Sequence, residues 1–174
     1  MFGTNVPIAL RGVQFMKRFL TTFVLVLGLS HVLAQAPAYF VHADLVRGAQ
    51  GAQGAVCVAN AVFHPGEWVI FRAVVYDAAT GEELKHDAIA ELGLTAQVTV
   101  EGLEPIDMFY PPLDASAPPA MYFFRGPWPI PADFAMGEYR WNIEVRDAAG
   151  NAVSFAPIGQ GVGLSSITIL GAAQ

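Results

Sequence analysis

The chain has 174 residues, 54% of them hydrophobic, with nine Lys and Arg against fifteen Asp and Glu, a formal net charge of −6 and a single cysteine. An acidic balance with no cluster of Lys and Arg argues against nucleic acid as a partner. One cysteine rules out an intrachain disulfide, so the interior has to hold by packing alone.

In chain order, the first informative segment is Met16-Lys17-Arg18 followed by the uncharged run Phe19 to Leu33 and small residues at Ala34, Ala36 and Ala38. A basic start, a short apolar stretch and an Ala-x-Ala-like end predict a helical signal peptide over residues 1–36. The run falls short of the roughly 20 residues a spanning helix needs, so no stable membrane span is expected after cleavage. An uncleaved anchor is the competing reading, and the lipoprotein reading fails because no Cys follows the apolar run. Met1 to Phe15 resembles no signal start, and translation is expected to begin at Met16. The expected location is periplasmic or extracellular. Removal of the signal leaves six basic residues (Arg47, Arg72, Lys85, Arg125, Arg140, Arg146) against fifteen acidic ones, a charge near −9.

Residues 37–54 read as a lead-in linker, because Gly48-Ala-Gln-Gly-Ala-Gln-Gly54 is a small-residue stretch with little pattern. A β-domain is expected over 55–171. Its strand candidates begin with Ala55–Val62, followed after the Pro65-Gly66 turn by Glu67–Tyr76. In the latter, Val69, Phe71, Ala73 and Val75 share one face, and Trp68, Ile70, Arg72, Val74 and Tyr76 share the other. A wholly apolar face opposite one that includes an Arg indicates a sheet buried on one side and partly covered on the other. Thr80–Leu94 is a polar connection or a short helical turn. Thr95–Glu101 alternates, Gly102 ends it, and Ile106–Tyr110 returns as a hairpin partner. Pro111-Pro112 to Pro118-Pro119 is a loop. Ala120–Arg125, Tyr139–Arg146, Ala152–Phe155 and Leu164–Leu170 complete the set. Seven or eight short strands punctuated by turns predict an all-β, two-sheet antiparallel immunoglobulin-like sandwich.

Phe63-x-Pro-Gly-Glu-x-Val-x-Phe-Arg72 with Asp77-x-x-Thr-Gly81, and Trp128-Pro-Ile-Pro-Ala-Asp133 running to Met136-Gly-Glu-Tyr139 and Asp147-Ala-Ala-Gly-Asn151, carry a resemblance. Together they resemble the macroglobulin-type and bacterial immunoglobulin-like modules of secreted proteins over residues 55–170. The resemblance implies a spacer, adaptor or docking role and no enzymatic activity. It also implies a tyrosine corner at Tyr139, whose hydroxyl would bond a backbone group upstream. The thioester motif of full macroglobulins is absent, so covalent trapping is not implied.

Of the residues that could carry chemistry, Cys57 and His64 could bind copper or zinc, or ligate a haem, and would make the chain an accessory of an envelope redox enzyme. The blue-copper arrangement of a late Cys-x-His-x-Met cluster is missing, as is Cys-x-x-Cys-His, and packing in the core is the simpler expectation for Cys57. No Gly-x-Ser-x-Gly, calcium loop or phosphate loop is present, so no catalytic residue and no cofactor is assigned. Recognition is left. The unbroken apolar run Met121–Phe124 leads to Met121, Tyr122, Phe124 and Trp128 as an interface with a protein partner in the cell envelope. An exposed Trp128 would alternatively suit a carbohydrate. N-terminal sequencing of the exported protein should find Gln35 or Pro37 first; a chain that still carries Phe19 to Leu33 would instead be anchored.

Overall fold

The alternation in Trp68–Asp77 sets the architecture. The computed structural model describes residues 38–112, 122–159 and 166–171, and in it this segment is a ten-residue strand with Val69, Phe71, Ala73 and Val75 buried and their neighbours half-exposed. In chain order the strands are β1 (Tyr39–Arg47), β2 (Val62–Phe63), β3 (Trp68–Asp77), β4 (Thr95–Val100) and β5 (Ile106–Met108). They continue with β6 (Phe124–Pro129), β7 (Gly137–Tyr139), β8 (Trp141–Arg146), β9 (Ala152–Phe155) and β10 (Ile167–Ile169). A single short helix, α1 (His86–Leu92), breaks the all-β pattern among the described residues. It ends at Gly93, whose left-handed backbone (φ 59°) lets its N–H reach the Ala90 carbonyl.

Three ladders result. β1-β3-β6 and β5-β4-β8-β9 are antiparallel throughout, while β10 pairs parallel with β2 and antiparallel with β7. The inner faces of the two larger ladders meet at Phe71 and Trp141, whose ring centroids are 5.4 Å apart. Among the described residues there are ten strands, against the seven or eight expected. The extra ones are β1 and the short β7, which Arg140 separates from β8.

Two segments differ from the sequence reading. The lead-in 37–54 is not a linker over its first half, since β1 pairs with β3 from Tyr39↔Asp77 to Arg47↔Val69. Its Ala43, Leu45 and Tyr39 are buried, but intervening His42 and Asp44 weaken the apolar signal. Conversely, of Ala55–Val62 only Val62 lies in a strand, as the first residue of β2. Its residues follow the β1 edge by single bonds, Cys57 N–H to the Arg47 carbonyl (2.9 Å) and Asn60 N–H to the Leu45 carbonyl (3.2 Å). Cys57 has a left-handed backbone (φ 59°), which no strand residue adopts.

β6 contains Pro127 and Pro129, an unusual composition for a strand with neighbours on both sides. The Arg125 and Phe109 backbones exchange two bonds, 2.9 and 2.8 Å, and Ile130 N–H points the other way, to the Glu67 carbonyl. By the two-residue period the proline nitrogens fall on the Phe109 side, so β3 loses no donor. The same missing donors confine the β5–β6 seam to one isolated pair.

A buried carboxylate organises the turn before β3. Glu67 is 0% exposed, and its Oε1 and Oε2 accept the backbone N–H groups of Gln53 (2.7 Å) and His64 (2.8 Å). Arg47 Nε, at the end of β1, stands 2.9 Å from Oε1 as an ion pair whose N–H is not aligned as a hydrogen bond. The guanidinium also donates from Nη2 to the Val62 carbonyl (2.9 Å) and lies over the Phe63 ring. Gly51 passes so close to this turn that a Cβ there would sit 2.1 Å from the Gly66 carbonyl oxygen, at φ 68°.

The two Asp turns resemble each other as the sequence indicates. Asp77 Oδ1 accepts the N–H groups of Ala79 and Thr80, and Asp147 accepts two bonds from Asn151 (2.9 and 2.8 Å) and one from the Tyr39 hydroxyl (3.1 Å). The side-chain bond from Asn151, ahead of its other donors, lowers the Asp147 pKa below the ordinary carboxylate value. A lowered native pKa stabilises the fold above the unfolded-state value, near pH 4, and the contribution is lost as pH falls through the native one.

Removing one member of a buried ion pair strands the other charge, at a cost of about 3–5 kcal/mol. Glu67→Ala is therefore expected to cost about as much as emptying the core with Phe71→Ala, with Glu67→Gln milder because its amide oxygen still accepts one N–H. Urea unfolding measures this, and a Glu67→Ala midpoint equal to the parent's would refute the organising role.

Candidate functional site

The outward face of β1-β3-β6 carries a groove whose lining can be assigned chemistry. The register sets Val46, Ile70 and Pro127 abreast in one row and Asp44, Arg72 and Arg125 in the next, with Phe109 paired beyond Arg125. Trp68 and Phe123 flank these rows, and the chain returning over Gly48 to Gln50 forms one wall. The groove so enclosed has a volume of about 370 Å³ and is lined mainly by apolar surface. This is the face that sequence alternation marks as only partly covered.

Its electrostatics come from two arginines. Arg72 grips Asp44 with both ends of its fork: Nε donates to Oδ1 at 2.7 Å and Nη2 to Oδ2. The hydrogen bond to Asp44 raises the Arg72 pKa further, so this charge is permanent. Arg125 has no carboxylate against it among the described residues. Its Cζ lies 5.0 Å from the Phe109 ring centroid and 5.8 Å from that of Phe123, and its Nε is buried without a hydrogen-bond partner. Phe109 is 49% exposed at the lip.

Two of the residues expected from sequence to form an interface are buried. Phe124 and Trp128 are 2% and 6% exposed and belong to the core, with Trp128 packed edge-on to Phe134 at 5.2 Å. The outward residues of this strand are Phe123, Arg125 and Pro127, one position out of phase, and a shift of one residue exchanges the faces of a strand. Tyr122 is half-buried with its ring 4.3 Å from that of His86. Met121 lies outside the described residues. Burial of Trp128 also removes the sugar-stacking surface proposed for it.

Cys57 is exposed and lines the groove rather than packing in the core. The turn at Cys57 takes the place of the expected strand, which is why its side chain emerges. His64 is held elsewhere: its Nδ1 is 2.6 Å from the Gly171 carbonyl, which makes Nδ1–H the donor. The structure shows no contact joining Cys57 to His64, and among the described residues no three His, Cys, Asp or Glu side chains are grouped to hold a metal. His86 donates from Nε2–H to the Pro111 carbonyl (3.0 Å) inside a box formed with Tyr110 and Tyr122, and lines no part of the groove. Among the described residues no imidazole lines the groove with the thiol.

Tyr139 donates its hydroxyl to the Ala135 carbonyl at 2.9 Å, four residues upstream. The chain matches no family model, no curated protein and no solved structure. The site is thus defined by its own geometry.

Missed by sequence reasoning were Arg125 and Phe109, because neither pairs with a neighbour in sequence. The outward phase of Arg72 was the available signal, since Arg125 is its cross-strand partner. An exposed thiol should react with Ellman's reagent in the native protein as fast as in urea, releasing one equivalent per chain. A reaction that waits for unfolding would return Cys57 to the core.

Proposed function

We propose that this chain is an exported, non-enzymatic β-sandwich domain of the immunoglobulin-like kind, which serves as an adaptor or binding module on a partner protein in the cell envelope. One observation carries the docking role: the outer face of β1-β3-β6 presents an apolar groove with a guanidinium, Arg125, that has no carboxylate against it among the described residues, where a solvated sheet face ordinarily alternates to polar side chains. The immunoglobulin-like reading is supported by the Tyr139–Ala135 bond, which has the form of a tyrosine corner, and by the core contact between Phe71 and Trp141. Export rests on the signal-like segment Met16 to Ala36. The reading as a metal- or haem-associated accessory has less behind it, because His64 and Cys57 serve different surroundings.

Cys57, the sole cysteine, provides a probe already positioned at the groove. A photo-crosslinker attached to it, with illumination in the envelope of the producing cells, should yield one dominant adduct. Ile70→Asp, which places a charge on the groove floor while its position stays half-exposed, should abolish that adduct without loss of the fold. A labelled, folded protein that gives no adduct, or the same adduct with Ile70→Asp, would defeat the docking reading.

A further inference from the structure

We infer that the groove on the outer face of β1-β3-β6 receives an extended segment of the partner that bears a carboxylate flanked by apolar residues, with the carboxylate on Arg125. The inference rests on the docking reading above and names the chemistry of what docks.

The argument begins with the row Asp44, Arg72, Arg125. Arg72 and Arg125 are direct cross-strand partners on one face, an arrangement that is unfavourable for like charges. Only one carboxylate stands in the row, and both of its oxygens are taken by Arg72. The third guanidinium at the groove, Arg47, is committed to Glu67 and the Val62 carbonyl. No acidic side chain lines the groove. Arg125 is therefore the one cation there without a counter-charge among the described residues, on a chain whose formal charge is −6.

Its surroundings prepare it for an anion. Phe109 and Phe123 hold the guanidinium plane by cation–π contact, and its Nε is shielded from water with no acceptor. A planar fork held between rings binds a carboxylate through two parallel hydrogen bonds. Trp68, Ile70 and Pro127 beside it offer only apolar contact, so a fully hydrated inorganic anion gains nothing from them. An occupant with one carboxylate and apolar neighbours uses both surfaces.

The shape favours a chain segment over a free small molecule. Sites for small ligands bury about 70–90% of the ligand. Here the groove is open to solvent along its length and Phe109 at its lip is 49% exposed, so an occupant is covered on one face and lies along the sheet.

The test pans a displayed library of random heptapeptides on the folded protein. Enriched peptides should share an Asp or Glu flanked by aromatic or branched residues. Arg125→Gln should weaken them about tenfold or more, the worth of a charge-assisted hydrogen bond. Lys85→Gln, at an exposed position away from the groove, should leave them unchanged. Replacing the peptide's carboxylate by its amide should give the same loss on the parent protein and no additional loss on Arg125→Gln. That peptide arm decides the matter even where Arg125→Gln fails to fold.

Enriched peptides without a carboxylate, or ones indifferent to Arg125→Gln, would overturn the inference and leave the docking reading standing. The same holds if nothing is enriched while the Cys57 crosslink still captures a partner. A fatty or aromatic acid found on the purified protein by native mass spectrometry would overturn it in favour of a small ligand.

Discussion

The fold turns on the Arg47–Glu67 ion pair. A carboxylate excluded from water is tolerable only where every lone pair is engaged, and Glu67 engages two backbone amides and one guanidinium. Those three donors come from the end of β1, the small-residue loop and the turn into β3. One side chain thereby fixes where β1 stops, how the loop is folded back, and in which register β3 begins. The same guanidinium reaches the Val62 carbonyl and covers Phe63, which places β2 beside it. The loop between β1 and β2 contains no regular element, so its position as the groove wall depends on this pair and on Gly51 packed at the Gly66 carbonyl.

The groove follows from this arrangement. The inward face of β3 is spent on the core, and its outward face is left with Trp68, Ile70 and Arg72. A sheet face of that composition is stable in water only in part, which is why the wall beside Gly48 and the ring of Phe109 lean over it. Charge is distributed with the same economy: Asp44 neutralises Arg72 and Glu67 neutralises Arg47, while among the described residues Arg125 meets rings and no carboxylate. The recognition proposed for this face uses the guanidinium that has no counter-charge among the described residues.

The sequence made some of this legible. Strict alternation in β3, β4 and β8 identified their buried faces, since two-residue periodicity records burial directly. Phe71 and Trp141 fall on such faces, and their rings meet. β1 was illegible because His42 and Asp44 interrupt its apolar face and Ala43 adds little hydrophobic signal. Ala55–Val62 misled in the opposite sense: its valines suggested a strand, while the backbone there follows single bonds to β1 and turns left-handed at Cys57. The aromatic stretch around β6 announced that its residues matter without stating which way they face, and two prolines obscured the phase. Glu67 was visible as part of Pro-Gly-Glu, but its partner lies twenty residues earlier, beyond any local pattern. Recognition of the groove needed the cross-strand pairing of Arg72 with Arg125, which only the folded register supplies.

Pro127 and Pro129 decide more than the edge of a strand. β5 and β6 run alongside each other, and Arg125 with Phe109 already forms a complete bonded pair between them. Were position 127 to offer an amide, the pairing could continue toward Asp107 and fuse two ladders into one uninterrupted wall. The prolines stop that zipper after its first tooth. The topology thus stays that of separate ladders rather than drifting toward a closed cylinder, and the exposed ring of Phe109 marks the place where closure was arrested.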